Sequence, residues 1–281
     1  MKVGVLGAGT MGNGIAHVFS QYGYNVVLVD IEEKVLSNSL DIIKNNLNRQ
    51  SQKNIINESD IANILSRVEL STDINSFASC DLVIEAIKED LNLKKNIFNQ
   101  LDKICKTDCI LATNTSSISI NRLAESTLRS DKVIGMHFMN PVPVMKLVEV
   151  IKGRNTSSET LNLILSVSKK LDKIPVQCND SPGFVSNRIL MPMINEAAHC
   201  YSEGVADALS IDSIMKLGMG HPMGPLKLAD LIGVDVCVFI LNVLFDELKD
   251  VKYKPSDILL KMVDNNELGK KTGKGFYNYE F

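Results

Sequence analysis

No run of apolar residues in this chain approaches the roughly 18 that a membrane span requires. The N-terminal stretch is too short for a signal peptide, since Gly4 and Gly7 interrupt it where an apolar core would continue. There is no C-x-x-C pair: the six cysteines (Cys80, Cys105, Cys109, Cys178, Cys200 and Cys237) are scattered. Cys105 and Cys109 lie closest, but no second pair or histidine cluster accompanies them. No metal site is expected, and reduced thiols in a cytoplasmic protein are the simplest account. Charge of one sign is also scarce. With 30 Lys+Arg against 33 Asp+Glu the formal net charge is -3, so neither nucleic acid nor an anionic membrane is expected as a partner. Any anionic ligand must then be held by local basic groups and helix ends. Low-complexity linkers and internal repeats are lacking too. What is present is a globular composition, 45% hydrophobic and 22% charged, in 281 residues, enough for one large domain or two modest ones.

The apolar run 2–6 has strand character and ends at Gly7. Helical spacing follows, with Met11, Ile15, Val18 and Phe19 on one face, until Gly23 breaks it and residues 25–30 read as a second buried strand. Strand, glycine turn, helix and strand within about thirty residues make a βαβ unit. Residues 31–67 read as helical and polar, with Lys44, Arg49 and Lys53 among many Asn and Ser. Further strands read at 68–70, 81–87 and 109–113, with a helix at 91–104. Two more, 132–138 and 145–151, flank the proline-punctuated segment 140–143. A helix at 158–171 and a last strand at 174–176 complete this part. From Phe184 onward the periodicity is almost all helical, with breaks at Gly204, Gly218, Gly224 and Gly233. The expected architecture is therefore α/β: a Rossmann-like dinucleotide-binding domain over residues 1–182, then an all-helical C-terminal domain over 183–281, with the boundary near Pro182. About a hundred residues of helices would expose apolar faces if they stood alone, which leads to the expectation of a homodimer through that second domain.

Gly7-Ala8-Gly9-Thr10-Met11-Gly12 fits G-x-G-x-x-G. The pattern alone is weak, but here it follows a strand, opens a helix, and is succeeded by a strand ending in Asp30. Gly7 permits the tight turn, Gly9 lets a pyrophosphate touch backbone, and Gly12 lets helix and strand pack closely. The pyrophosphate would sit on free N–H groups at the helix start. Asp30 is placed to accept hydrogen bonds from ribose hydroxyls and would repel a 2′-phosphate, so NAD is favoured over NADP.

Glu149 lies between apolar neighbours in the run 146–151, where a carboxylate costs several kcal/mol unless it is paired. His137 ends the apolar run 133–137, just before the proline-rich turn. Two strands joined by so short a link can be antiparallel neighbours, which would bring His137 and Glu149 together. Such a pair fixes one imidazole tautomer and makes the histidine a better base, as oxidation of a hydroxyl by hydride loss to nicotinamide requires. A structural histidine and a solvent-facing strand glutamate would give the same spacing. His17, His199 and His221 carry no catalytic expectation.

Beyond these features the chain resembles the 3-hydroxyacyl-CoA dehydrogenase family. The likeness is carried by Asn114-Thr-Ser-Ser117, by residues 135–143 around His137, by Lys146-Leu-Val-Glu-Val150, by residues 181–188, by His221-Pro-Met-Gly-Pro225, and by residues 271–277. These occur in order from about Met1 to Tyr279, and the length without fused domains resembles the single-function bacterial members. The resemblance implies NAD-dependent interconversion of short-chain L-3-hydroxyacyl-CoA and 3-oxoacyl-CoA. His137 would be the catalytic acid/base and Glu149 its orienting partner. Ser116 and Asn187 would hydrogen-bond the 3-oxygen or the thioester carbonyl. Asn140 would contact the nicotinamide region and the substrate. Asn114, Glu89, Lys94 and Lys271 match positions used around NAD, and Lys53 matches one that meets the CoA phosphates. Asn46 stands where some relatives carry serine at a CoA contact, while Ser117 and Arg188 would support the loops presenting Ser116 and Asn187. Two other readings stay open: a small hydroxy-acid dehydrogenase on the same two-domain plan, which would use a catalytic lysine, and a non-catalytic NAD-binding sensor or structural protein.

Overall fold

The computed structural model describes residues 1–280 and divides into two compact units, Met1–Asp180 and a second from Ser181 onward. Among the described residues the first unit holds one eight-stranded sheet. Its strands are β1 (Lys2–Leu6), β2 (Asn25–Val29), β3 (Val68–Ser71), β4 (Leu82–Glu85), β5 (Ile110–Thr113), β6 (Val133–Phe138), β7 (Leu147–Lys152) and β8 (Ile174–Asn179). The spatial order is β3-β2-β1-β4-β5-β6-β7-β8, parallel through β6. β7 then runs antiparallel to β6, and β8 parallel to β7. β4, β5 and β6 are buried at every position, as continuous apolar runs covered by helices on both faces should be. The strand order reverses beside β1, whose neighbours are β2 and β4. That switch point is where an open α/β sheet leaves a crevice outside the strand ends.

The helices of this unit are α1 (Thr10–Gln21), α2 (Glu33–Gln52), α3 (Asp60–Leu65), α4 (Leu91–Ile104), α5 (Ile120–Ala124) and α6 (Ser158–Lys170). α2 is polar except for one stripe, Leu36, Ser39, Ile43 and Leu47, whose three- and four-residue spacing turns it toward the core. The helical stretch expected over 31–67 is in fact two helices. Asn54, left-handed at φ +56°, ends the first, a conformation that asparagine tolerates. The strand expected over 81–87 is shorter, because Ile87 N–H turns back to donate to the Glu85 carboxylate at 2.7 Å. The last strand is longer than expected. It lies at the sheet edge with alternating exposed residues, so no apolar run marks its extent, and its Pro175 is tolerated there.

The second unit contains α7 (Ser186–Ser202), α8 (Ala208–Met219), α9 (Pro225–Ile232), α10 (Val234–Leu248) and α11 (Asp257–Asp264). Its core gathers Met191, Ile194, Ala198, Ala229, Val234, Leu241, Leu244 and Leu259 from four of these helices. The break expected at Gly218 is displaced: Gly218 lies inside α8, and Gly220 takes the left-handed position past the helix end at φ +71°. After α11 the chain makes one short 3-10 turn, Lys270–Thr272, and then docks on Asp230, whose carboxylate accepts from Phe276 and Tyr277 N–H at 2.9 and 3.0 Å. Among the described residues no single helix is long and apolar enough to cross a membrane. The pair α9 and α10, which qualifies by composition, is bent by 98° and packs its inward side chains into the core.

Candidate active site

β1 delivers the chain into the glycine loop at the switch point. Gly7 has φ +97°, and a side chain there would strike the Ala86 carbonyl at 2.6 Å. Gly12 is excluded from bearing one even more firmly, since a Cβ would lie 1.7 Å from the Gly7 carbonyl oxygen. Above Gly9, by contrast, nothing lies within 4 Å of a Cβ position. α1 starts at Thr10 with no side-chain cap and no acidic residue in its first turn. Its first N–H groups and its positive dipole end therefore suit a phosphate anion. Asp30 follows β2 and accepts from Ala8 N–H at 2.7 Å and Glu32 N–H at 3.2 Å. The acid thus braces the loop, on the same end of the sheet. Ala8, Gly9 and Thr10 line a cleft of about 370 Å³ together with Asn38, Asn46 and the segment Asn140–Val142. These residues fit NAD: an open backbone surface, an uncapped helix start and a carboxylate one strand away.

A second group of residues meets at the ends of β4 and β5. Glu85 and Lys94 are fully buried and joined at 2.6 Å. The other Glu85 oxygen accepts from the Thr113 hydroxyl at 2.7 Å. Lys94 also reaches Glu89 at 3.2 Å. Glu89 in turn collects the Thr115 hydroxyl (2.5 Å), Ser116 N–H (3.1 Å), Ser117 N–H (3.2 Å) and the Ser117 hydroxyl (2.9 Å) on one oxygen. Burial works to raise the Glu89 pKa, but Lys94 and the two hydroxyls outweigh it and hold the carboxyl below its ordinary value. The loop that carries Ser116 is thereby tied down by an ionised acid. Asn114, at its start, accepts from Phe138 N–H at 2.9 Å, which locks the loop to the end of β6.

β6 and β7 place His137 directly opposite Glu149 in the antiparallel register. The imidazole Nδ1 lies 2.8 Å from Glu149 Oε2, with His137 8% and Glu149 4% exposed. The antiparallel register across the short link over 139–146 sets this pairing. Cys178 on β8 feels the same carboxylate: burial, with a smaller push from Glu149, raises its thiol to about 11.

Lys53 stands apart from these groups. It is the C-cap of α2 and lines a neighbouring cleft of about 550 Å³ with Asn46, Arg49, Lys146 and Lys173. In the second unit, Asn187 occupies the first turn of α7, Arg188 donates to the Ser181 hydroxyl at 3.0 Å, and Lys271 pairs with Asp235 at 2.5 Å. Glu85 and Lys173 were not singled out from the sequence, and Arg49, Thr115 and Lys146 stood in stretches it marked without receiving a role. Glu85 had a usable signal, the same one that marked Glu149: a carboxylate in an otherwise apolar strand.

The loop, the acid and the switch point define a dinucleotide-binding unit of the dehydrogenase type. Comparison with known proteins is specific. Residues 2–181 match the family model described as 3-hydroxyacyl-CoA dehydrogenase, NAD binding domain, and residues 183–279 match the 3-hydroxyacyl-CoA dehydrogenase C-terminal domain. The chain belongs to the 3-hydroxyacyl-CoA dehydrogenase family, and its cofactor is NAD. It is 52% identical over 279 residues to a probable 3-hydroxybutyryl-CoA dehydrogenase of Deinococcus radiodurans, covering 99% of this chain and 100% of that one. It is 50% identical to a 3-hydroxybutyryl-CoA dehydrogenase of Clostridioides difficile, covering 99% of each. Among solved structures, (S)-3-hydroxybutyryl-CoA dehydrogenase from Ralstonia eutropha superposes with a TM-score of 0.96 at 47% identity, over 100% of this chain and 99% of that one.

Proposed function

We propose that this chain interconverts (S)-3-hydroxybutyryl-CoA, and short-chain L-3-hydroxyacyl-CoA thioesters generally, with the corresponding 3-oxoacyl-CoA. The observation that carries the proposal is the buried His137–Glu149 pair at 2.8 Å, in a unit whose glycine loop fits NAD. The relatives at about half identity support the short acyl chain. NAD, when bound, supplies the hydride acceptor or, reduced, the donor. Glu149 holds the proton on Nδ1 of His137, which leaves Nε2 with the lone pair. Nε2 takes the proton of the 3-hydroxyl in the oxidative direction and returns it to the 3-oxygen in the reductive one. The Glu149 carboxylate stabilises the imidazolium formed in between.

Ser116 and Asn187 are assigned hydrogen bonds to the 3-oxygen or the thioester carbonyl, and Asn140 a contact to the nicotinamide region and the substrate. Glu89 and Lys94 serve the cofactor side through the 114–117 loop they hold, and Lys271 is assigned to NAD as well. Lys53 is assigned to the CoA phosphates, with Arg49 and Lys146 beside it in the cleft. Asp30 takes the ribose hydroxyls. The exposed Ile189, Leu209, Ile214 and Leu217 support a homodimer through the helical unit, which a monomer by light scattering at micromolar concentration would contradict. Six unpaired thiols are consistent with a cytoplasmic setting.

The proposal is tested by supplying NAD with either (S)- or (R)-3-hydroxybutyryl-CoA and following NADH formation. Turnover confined to the S thioester is expected. Equal rates on both enantiomers, or on the free acid, would contradict it.

A further inference from the structure

Lys173 stands in the turn between α6 and β8, only 7% exposed, and its ammonium faces no carboxylate within salt-bridge reach among the described residues. The carboxylate next to it in sequence, Asp172, is paired with Lys146. Lys173 instead donates to two backbone carbonyls of the 140–145 segment, Val142 at 2.5 Å and Met145 at 2.8 Å. Burying a cation on neutral acceptors is costly, so a fold retains such a contact where it fixes something that matters. What it fixes is the wall of the cleft opposite Gly9 and Thr10. Within the segment, Val144 and Met145 N–H both donate to the Pro141 carbonyl at 3.0 Å. Val142, 2% exposed, seats on Gly14 of α1, where a side chain would come within 2.8 Å of it.

We propose that Lys173 is a positioning residue for the reaction: it clamps the Val142 and Met145 carbonyls and so sets where Asn140 stands relative to the glycine loop. The inference rests on the assignment of Asn140 to the nicotinamide and substrate given above. The Lys173 ammonium is engaged by these two carbonyls, and its part in the reaction is exerted through the segment they belong to. A loop displaced by about 1 Å is enough to lower turnover tenfold to a hundredfold.

The test compares wild type with Lys173→Met, which keeps the stem and removes the donors, and with Lys173→Arg, which keeps a charged donor of different reach. Two readouts are taken: hydrogen exchange of the amides in residues 141–146, and steady-state reduction of acetoacetyl-CoA by NADH. In Lys173→Met, exchange of the Val144 and Met145 amides should rise about tenfold and kcat should fall about tenfold, with the KM for NADH within about twofold of wild type. Lys173→Arg should recover part of both losses. Unchanged exchange in the segment, or normal kcat in either folded variant despite faster exchange, would overturn the proposal. If Lys173→Met does not fold, Lys173→Arg decides alone, since its reach alters the clamp and both readouts must move together. A wild-type protein inert toward acetoacetyl-CoA would sink the dehydrogenase reading instead, while the exchange comparison would still decide whether Lys173 holds the loop.

Discussion

Replacing Glu149 by Gln probes the His137 pair with least disturbance. Glutamine is isosteric, sits in the same β7 register between the buried Val148 and Val150, and its amide oxygen can still accept from Nδ1. The tautomer and the ring position are therefore retained, and what is lost is the negative charge 2.8 Å from the imidazole. A hydrogen bond to a charged group is worth about 1.5–3 kcal/mol. At about 1.4 kcal/mol per factor of ten, loss of that interaction from the imidazolium-forming step lowers kcat by about 10- to 150-fold. With Glu149 only 4% exposed, water cannot enter to substitute for the missing charge. The assay is NADH consumption with saturating acetoacetyl-CoA, alongside a thermal melt to show that the variant is folded. A kcat within about twofold of wild type in folded protein would refute the reasoning, since so small a change is less than the interaction is asked to supply.

Gly12→Ala should abolish cofactor binding, because the new Cβ would overlap the Gly7 carbonyl oxygen at 1.7 Å and force the loop open. NADH fluorescence titration should show affinity weaker by at least about a hundredfold, the equivalent of about 3 kcal/mol, and unchanged affinity would count against the loop as the pyrophosphate seat. His17, completely buried in α1, bears on stability: burial lowers its pKa from 6.5 to about 4, only partly offset by Gln21. The folded state keeps it neutral while the unfolded chain takes up a proton below pH 6.5, so stability falls as pH drops from 6.5 toward 4. The loss amounts to about 3 kcal/mol, and His17→Leu should show a flatter pH dependence of the urea midpoint over that window. Parallel curves for the two proteins would remove His17 as the cause.

What could be read in the sequence was mostly local. The glycine loop was legible because strand, turn, helix and acid occupy about thirty consecutive residues; Gly7 and Gly12 answer steric demands that the fold then displays, while Gly9 leaves the surface open. His137 and Glu149 could be brought together on paper because a short link between two apolar strands leaves few registers. Contacts that cross the chain were not legible. Nothing near Lys94 announces that its ammonium will be buried against Glu85, since the two meet only when α4 folds back on β4. The same holds for Lys173, whose partners are main-chain carbonyls and carry no side-chain signature. Helix boundaries failed where glycine was read as punctuation: Gly218 needs no special backbone angle and stays helical, while Gly220 does the terminating.

The central claim is that this chain moves hydride between NAD(H) and the third carbon of a CoA thioester. Its most direct test is loss of absorbance at 340 nm when purified protein meets acetoacetyl-CoA and NADH, with free acetoacetate and NADPH as the comparisons. The account predicts rapid loss with the thioester and NADH and little with either replacement. No loss with any combination, in protein that measurably binds NADH, would contradict it.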